Sequence, residues 1–486
     1  MAARERNCSH WSNQPTSAHN PVVEAAYYRE LIRPLVAGRR VVLCGQLLNG
    51  STELVETLRA LGAERCLVLA HGIGTGQLPS PDDADQVVVE TRATDVIQEF
   101  RQVERLLAQP PAEFLEALSR FDPDHRALAL APPISIGPLP RTLAGRRFFG
   151  RRQPASLALE DKIAVDAFWD RAGVARAPSA IVLPNFADAA EAAHGLDRGQ
   201  GVVIAADARE GIHGGAEGLR WAQDDAALAE ATDFLRAISG RVRVMPFLEG
   251  IPCSIHGIVF PDHVVTVRPV EMVTLRQAPR LRYCGAATFW DPPPQRRTEM
   301  REVARRVGET LRETIAYRGA FTIDGVMTEE GFLPTELNPR FGAGLGVIGR
   351  AIPGLPLGLL QRAIVEGLEL DYRPADLEEM LVAGADEHRG GGAWTTVSRV
   401  FPEVEEVRLV RTEGGFARAA EGEEADATLS SGPSNLGGFV RFAAIPERTP
   451  TGRSIAPRAV DFFAFADREL ETGIGPLEPA RELGLG

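Results

Sequence analysis

Lysine is nearly missing from this chain of 486 residues: of its 53 basic residues only Lys162 is a lysine, and the other 52 are arginines. A compact ammonium on a flexible stem and a planar guanidinium are not interchangeable, so the single lysine is a candidate functional position. Cysteine is scarce as well. The five cysteines, Cys8, Cys44, Cys66, Cys253 and Cys284, are odd in number and show no Cys-x-x-Cys spacing. Neither a disulfide framework nor a zinc cluster is indicated, and a reducing cytoplasm is the expected compartment. Positive charge is in deficit: 66 acidic residues against 53 basic ones leave a net charge of −13, which argues against a nucleic-acid partner. Long apolar runs are absent and the first twenty residues lack an apolar signal core, so neither membrane insertion nor export is expected.

What is present is the composition of a globular protein, 44% hydrophobic and 24% charged, with length for roughly three domains at about 150 residues each. Residues 1–150 alternate short apolar runs with helical patterns, the signature of a parallel α/β sheet. Strands are predicted at 41–44, 66–70 and 86–89, with a helix at 53–61, so this part reads as a Rossmann-like domain. The run Gly72-Ile73-Gly74-Thr75-Gly76 follows the second strand, but prolines after it prevent a helix, and it reads as a turn. The basic stretch 146–152 reads as a linker or exposed loop that ends this domain. A helix over 159–172 is expected next, with Lys162 in its first turn. Residues 201–260 read as mixed α+β with a helix at 225–238. A helix at 296–315 leads into two strands and the glycine-rich run 342–346, and an apolar helix follows at 355–366. From 371 to 486 the pattern is that of a small β-rich domain.

The two strands 321–327 and 332–337 read as a hairpin with Glu329-Glu330-Gly331 as its loop, glycine supplying the left-handed residue. That loop sets Asp324 opposite Glu336 and Thr322 opposite Asn338, and the two-residue period puts all four side chains on one face. Two carboxylates and an amide oxygen suit a hard divalent cation such as Mg²⁺. Pro339 then ends the strand, and Arg340 offers a planar fork suited to phosphate or carboxylate.

The run Glu336-Leu337-Asn338-Pro339-Arg340, preceded by an acidic residue on a short hairpin, resembles the second ATP-binding lobe of the ATP-grasp ligases. The resemblance covers about residues 155–370. It implies an α/β and α+β architecture: a Rossmann-like pre-ATP-grasp domain (1–150), a two-lobed ATP-grasp domain (151–370, hinge near 245–250) and the β-rich C-terminal domain (371–486). It also implies ATP and Mg²⁺ as cofactors, with Asp324, Glu336 and Asn338 as metal ligands and Arg340 on the reacting oxygens, joined by Arg268. Lys162, in Glu160-Asp161-Lys162, resembles the family's phosphate-binding lysine. Residues 210–218 look like the glycine-rich loop over ATP, giving His213, Gly214 and Gly215 as nucleotide-binding residues. Residues 245–250 resemble the adenine hinge, which adds Phe247, Leu248 and Glu249. Two positions depart from the pattern. Ala205 stands where the family usually has a second lysine, leaving Arg209 or His213 to substitute, and Thr322 stands where an arginine is common, leaving Arg268, Arg276 or Arg318.

The activity implied is ATP-dependent ligation of a small-molecule carboxylate to an amine through an acyl-phosphate. The layout is similar to amino-acid and peptide ligases of specialised metabolism such as the pheganomycin type. A biotin-carboxylase-like or carbamoyl-forming enzyme, and a nucleotide-binding regulator without turnover, are the alternatives. A homodimer is the prior expectation for the assembly.

Overall fold

The computed structural model describes residues 21–482, with Thr94, Pro133, Glu210, His213 and Gly215 outside the described residues. The expectations for His213 and Gly215 therefore lie outside them, as does Cys8. The N-terminal sheet is built from β1 (Arg40–Cys44), β2 (Arg65–Ala70), β3 (Ala84–Val88), β4 (Leu128–Leu130), β5 (Thr142–Leu143) and β6 (Arg146–Phe149). Their order is β3-β2-β1-β4-β6-β5, parallel throughout except for β5 against β6. Strand alternation splits the apolar runs between two cores: Val41, Leu43 and Val68 enter one, and Val42, Cys44, Leu67 and Leu69 enter the other. A parallel sheet covered on both faces requires this. Residues 72–76 form a turn region, as expected.

The stretch 146–152 is not a linker. Its first four residues are β6, and Arg146 is buried with its Nε donating to Asp122 Oδ2 at 2.6 Å. A buried ion pair replaced the apolar residue that would have betrayed the strand. The helix expected over 159–172 is also broken, into a 3₁₀ turn at Ala158–Glu160 and a helix at Val165–Arg171, so Lys162 sits in the turn between them.

A second sheet, order β7-β10-β8-β9, comprises β7 (Ala180–Val182), β8 (Val202–Ala206), β9 (Leu219–Ala222) and β10 (Val242–Pro246). Helices Phe186–Leu196 and Asp225–Ile238 cover one face, against Val202, Ile204, Ala206, Val242 and Val244. The second helix occupies the expected 225–238 and is capped by Asp224, whose carboxylate accepts from Ala227 N at 2.8 Å. By alternation, Val203, Ala205, Arg243 and Met245 lie on the opposite face.

The third sheet carries the hairpin. It contains β11 (Ile251–Val259), β12 (Val264–Thr266), β13 (Val270–Gln277), β14 (Arg280–Ala287), β15 (Gly319–Thr328) and β16 (Gly331–Asn338), in the order β14-β13-β11-β15-β16 with β12 beside β11. The helix Pro294–Ile315 buries Met300, Ala304, Val307 and Leu311 against it. The hairpin turn is shorter than expected: Thr328 pairs with Gly331, leaving Glu329 and Glu330 as a two-residue turn, and a β-bulge then inserts Thr335. The two deviations cancel, so Asp324 faces Glu336 and Thr322 faces Asn338 as the spacing predicted.

After the helix Pro374–Glu387, five antiparallel strands follow: β17 (Gly392–Val397), β18 (Glu405–Thr412), β19 (Gly415–Arg418), β20 (Ala427–Ser434) and β21 (Gly437–Ala444). The helix Ala456–Leu470 packs into a core shared with Val273, Leu275 and Cys284 of the third sheet. The mixed α/β and α+β class is therefore the observed one, and no helix among the described residues is long and apolar enough to cross a membrane.

Glu271 on β13 ties that last helix down. Its carboxylate accepts from Ser454 Oγ at 2.5 Å, Ile455 N at 2.9 Å and Ala456 N at 3.3 Å. Burial pushes its pKa up to about 7 despite those donors. A carboxyl whose folded pKa lies above its unfolded one favours folding when protonated, so its contribution falls as pH rises from about 4.5 to about 7. The midpoint of thermal unfolding is expected to fall over that interval in the wild type, and Glu271→Gln is expected to flatten the slope. An unchanged slope in the variant would refute this assignment.

Candidate active site

Two rows of polar side chains cross one face of the third sheet. Register places Ser254, Asp324 and Glu336 side by side on β11, β15 and β16, and His256, Thr322 and Asn338 in the next row. Ser254 Oγ donates to Asp324 Oδ1 at 2.6 Å, and Asn338 Nδ2 donates to Asp324 Oδ2 at 2.8 Å. Lys162 reaches across from its turn and places Nζ 3.0 Å from Glu336 Oε1. Arg340 follows the strand directly; its Nη2 donates to Asn338 Oδ1 at 2.8 Å, and its Nε lies 3.3 Å from Glu160. Arg152 contacts the same buried Glu160. Asp324, Glu336, Asn338, Lys162 and Arg340 are thus brought together by three separate stretches of chain: the turn at 162, β15 and the run 336–340.

The electrostatics of this cluster ask for positive charge. Burial, and then the neighbouring Glu336 carboxylate, push the Asp324 carboxyl up to about 6, against the opposing pull of Ser254, Arg340 and Lys162. Burial works against the Arg340 cation, but Glu160, Glu336 and Asp324 outweigh it and its pKa is raised. Two adjacent carboxylates, with an amide one row away, form an oxygen-only donor set that fits a divalent cation of the Mg²⁺ type.

Thr322, where the resemblance leaves an arginine missing, is partnered by a histidine. His256 Nδ1 lies 2.8 Å from Thr322 Oγ1, and burial lowers the His256 pKa to about 3, so the ring is neutral. None of the proposed arginines fills that place. Arg268, expected on the reacting oxygens, is fully buried away from the cluster, donating to Asp291 Oδ1 at 2.5 Å, Asp386 Oδ1 at 2.9 Å and the carbonyls of Pro269, Ala385 and Trp290. An aspartate pair and three carbonyls satisfy a guanidinium, which is why a lone arginine in sequence did not reveal its destination. Arg276 is at the hinge, and Arg318 lies against Gly367.

In the segment 245–250, where a hinge is expected, Phe247 N donates to Gly201 O at 3.0 Å, tying residue 247 to the start of β8. The Phe247 ring stacks on Trp221 at 4.4 Å between centroids, and the Arg276 guanidinium sits 5.0 Å from it. Glu249 is ion-paired with Arg276, and Leu248 is half-buried beside them. Trp221 was missed in the sequence because β9 is short, with an arginine in its second position. Gly214 is half-buried, and Ile212 of the same loop is buried against Ile97, Ile136 and Leu157, so this segment rests on the N-terminal part of the chain. Also missed were Ser254 and His256 as members of the polar rows, and Arg243. The last occupies the position on β10 directly opposite Ala205.

His256 accounts for one of the glycines after Arg340. A Cβ on Gly344 would fall well inside contact distance of His256 Nε2, and the ring is held by Thr322 and burial. Alanine in place of helical glycine gains about 1 kcal/mol of propensity, whereas overpacking a held ring costs about 1–3 kcal/mol. Gly344→Ala is therefore expected to lower the thermal midpoint, and adding His256→Ala is expected to recover part of the loss. A Gly344→Ala protein at least as stable as wild type would contradict the packing described.

No protein-family model matches the chain, and no curated protein matches it. Solved structures do. The chain is similar to the biotin carboxylase domain of the 2-oxoglutarate carboxylase of Hydrogenobacter thermophilus, solved with MgADP, ADP and bicarbonate, at 15% identity, covering 84% of this chain and 86% of that one, TM-score 0.50. It is also similar to Rhizobium etli pyruvate carboxylase, solved with acetyl coenzyme A, at 15% identity and TM-score 0.51, with 89% of this chain covered but only 37% of that much longer one. At such identities the likeness establishes a shared fold, the one expected from the hairpin and its Glu-x-Asn-Pro-Arg run.

Proposed function

We propose that the protein is an ATP-dependent, ADP-forming carboxylate–amine ligase that uses Mg²⁺. The observation that carries this is the convergence of Asp324, Glu336 and Asn338 on one sheet face with Lys162 and Arg340. The shared fold adds support, since the Hydrogenobacter structure holds MgADP.

A carboxylate is a poor electrophile. Transfer of the γ-phosphoryl group of ATP to a carboxylate oxygen, with ADP leaving, gives an acyl-phosphate; the amine nitrogen then attacks the carbonyl carbon, phosphate departs and the nitrogen loses a proton. Mg²⁺, held by Asp324, Glu336 and Asn338, would neutralise phosphate charge. Lys162 places an ammonium beside Glu336 for the phosphates, and Arg340 presents a cation kept ionised by three carboxylates. The hinge carries Phe247 and Leu248 for the base, with Glu249 held by Arg276. Phosphoryl transfer relies on positioning and charge neutralisation, so no covalent nucleophile is required. The buried cysteines agree with that: burial pushes the Cys44, Cys66 and Cys284 thiols up to about 12, far from the reactive thiolate. Amino acids or short peptides are the substrates proposed, with a homodimer as the assembly.

A second reading takes bicarbonate as the carboxylate, favoured by the carboxylases among the similar structures. In that case biotin would not be attached within these 486 residues, because Lys162 is their one lysine and lies against Glu336.

ADP release with Mg²⁺-ATP should require a particular acid and amine, with a product mass equal to their sum less water; bicarbonate-dependent release would favour the second reading. Glu336→Gln is expected to lower release by about 100-fold or more, the order seen when a preorganised electrostatic group is removed. Undiminished turnover would remove Glu336 from the site, and ATP binding without turnover on any amino acid, short peptide or bicarbonate would favour a regulator.

A further inference from the structure

The first lobe's inner face lacks the expected cation at Ala205, but it does not lack a cation. Ala205 and Arg243 are direct cross-strand partners on β8 and β10, so their side chains leave the sheet on the same face about 5 Å apart at Cβ. Arg243 is buried, and its fork is fixed: Nε donates to Asp166 Oδ2 at 3.0 Å and Nη2 to Asp166 Oδ1 at 2.6 Å. Its remaining arm, Nη1, donates to the carbonyl oxygen of Thr335 at 3.2 Å.

Thr335 is no ordinary strand residue. It is the bulge residue inserted between the Gly325–Pro334 and Asp324–Glu336 pairs, so its carbonyl is outside the ladder and needs a donor from elsewhere. Its Oγ1 donates to the Asp324 carbonyl at 3.2 Å, holding the bulge from the other side. The next residue is Glu336. The circuit closes through the first lobe's approach: Asp166 lies on the helix Val165–Arg171, four residues past Lys162, which itself meets Glu336. Ser179 Oγ donates to Asp166 Oδ2 at 2.5 Å, and Arg176 lies 3.7 Å from the same oxygen.

We propose that Arg243 is a positioning residue for the metal-bearing strand: held by Asp166, it pins the Thr335 bulge and so aims the Glu336 carboxylate. This rests on the ligase reading, in which Glu336 binds Mg²⁺. An ammonium cannot reproduce a bidentate pair plus a third bond, so Arg243→Lys is the informative variant: it keeps the charge and loses the geometry.

The test is calorimetric titration of ADP into the full chain, once with Mg²⁺ and once with EDTA, for wild type, Arg243→Lys, Asp166→Asn and Glu336→Gln, each first checked for a cooperative melt. Wild type should bind ADP more tightly with Mg²⁺. Arg243→Lys should lose about ten-fold of that Mg²⁺-dependent gain, as removal of a residue supporting a metal ligand does, while its affinity in EDTA stays that of wild type. Asp166→Asn, which leaves Arg243 in place with a weaker hold, should shift the same way by less and guards against a variant that fails to fold. A full Mg²⁺ gain in Arg243→Lys, or an equal loss with and without Mg²⁺, overturns the proposal while leaving the ligase reading intact. Absence of any Mg²⁺ effect in both wild type and Glu336→Gln overturns the ligase reading and this inference with it.

Discussion

Two half-buried carboxylates held side by side set the terms for the rest of this molecule. Asp324 and Glu336 face each other across β15 and β16 because an antiparallel register leaves them no alternative, and burial, with the Glu336 charge after it, raises the Asp324 pKa. Like charges this close and partly shielded from water call for compensating donors and cations. The surrounding structure supplies them from separate places: Ser254 from the neighbouring strand, Lys162 from a turn before the first lobe, and Arg340 from the end of the same strand. The cluster thus ties the turn at Lys162 to β16, since displacing Lys162 from Glu336 would leave a half-buried charge less well met.

The same logic explains how so arginine-rich a chain keeps its arginines apart in function. Arg146, Arg243 and Arg268 are buried and each is met by at least one aspartate. These guanidiniums are struts, satisfied by several acceptors at once. Breaking such a pair from one side costs several kcal/mol because it strands the partner's charge, so the pairs lock relative positions: β6 to Asp122 at the end of the helix Ala112–Phe121, and β10 to the helix bearing Asp166.

Legibility in the sequence followed where the period-two and helical patterns were undisturbed. The parallel strands, the helix 225–238 and the pairing of Asp324 with Glu336 could be read because apolar alternation and turn residues signalled them locally. The hairpin register was right although the turn was wrong: a shorter turn and the Thr335 bulge offset each other, and a bulge leaves no mark in composition. What failed were features decided by partners remote in sequence. β6 was hidden because a buried Arg146–Asp122 pair looks polar, and Arg268 was misplaced because Asp291 and Asp386 come from distant segments. Arg243 went unnoticed because its importance lies in standing opposite Ala205 on another strand. Residue type gave the chemistry of the site, and tertiary register decided which residues take part.

The lone lysine then becomes intelligible by contrast with Arg243. Both residues bridge toward the same strand, Arg243 through a fork closed on Asp166 and a carbonyl, Lys162 through an ammonium 3.0 Å from Glu336 Oε1. A guanidinium at 162 could clamp Glu336 bidentately, as Arg243 clamps Asp166, and so compete with any metal for both carboxylate oxygens. An ammonium is a point charge with rotatable donors and can be shared with phosphate oxygens as they arrive. Under the ligase reading, a residue that must neutralise Glu336 before the nucleotide binds and then release one oxygen to a cation has to be lysine. Where the task is instead to hold a bulge in one place, the fork of arginine is the better tool.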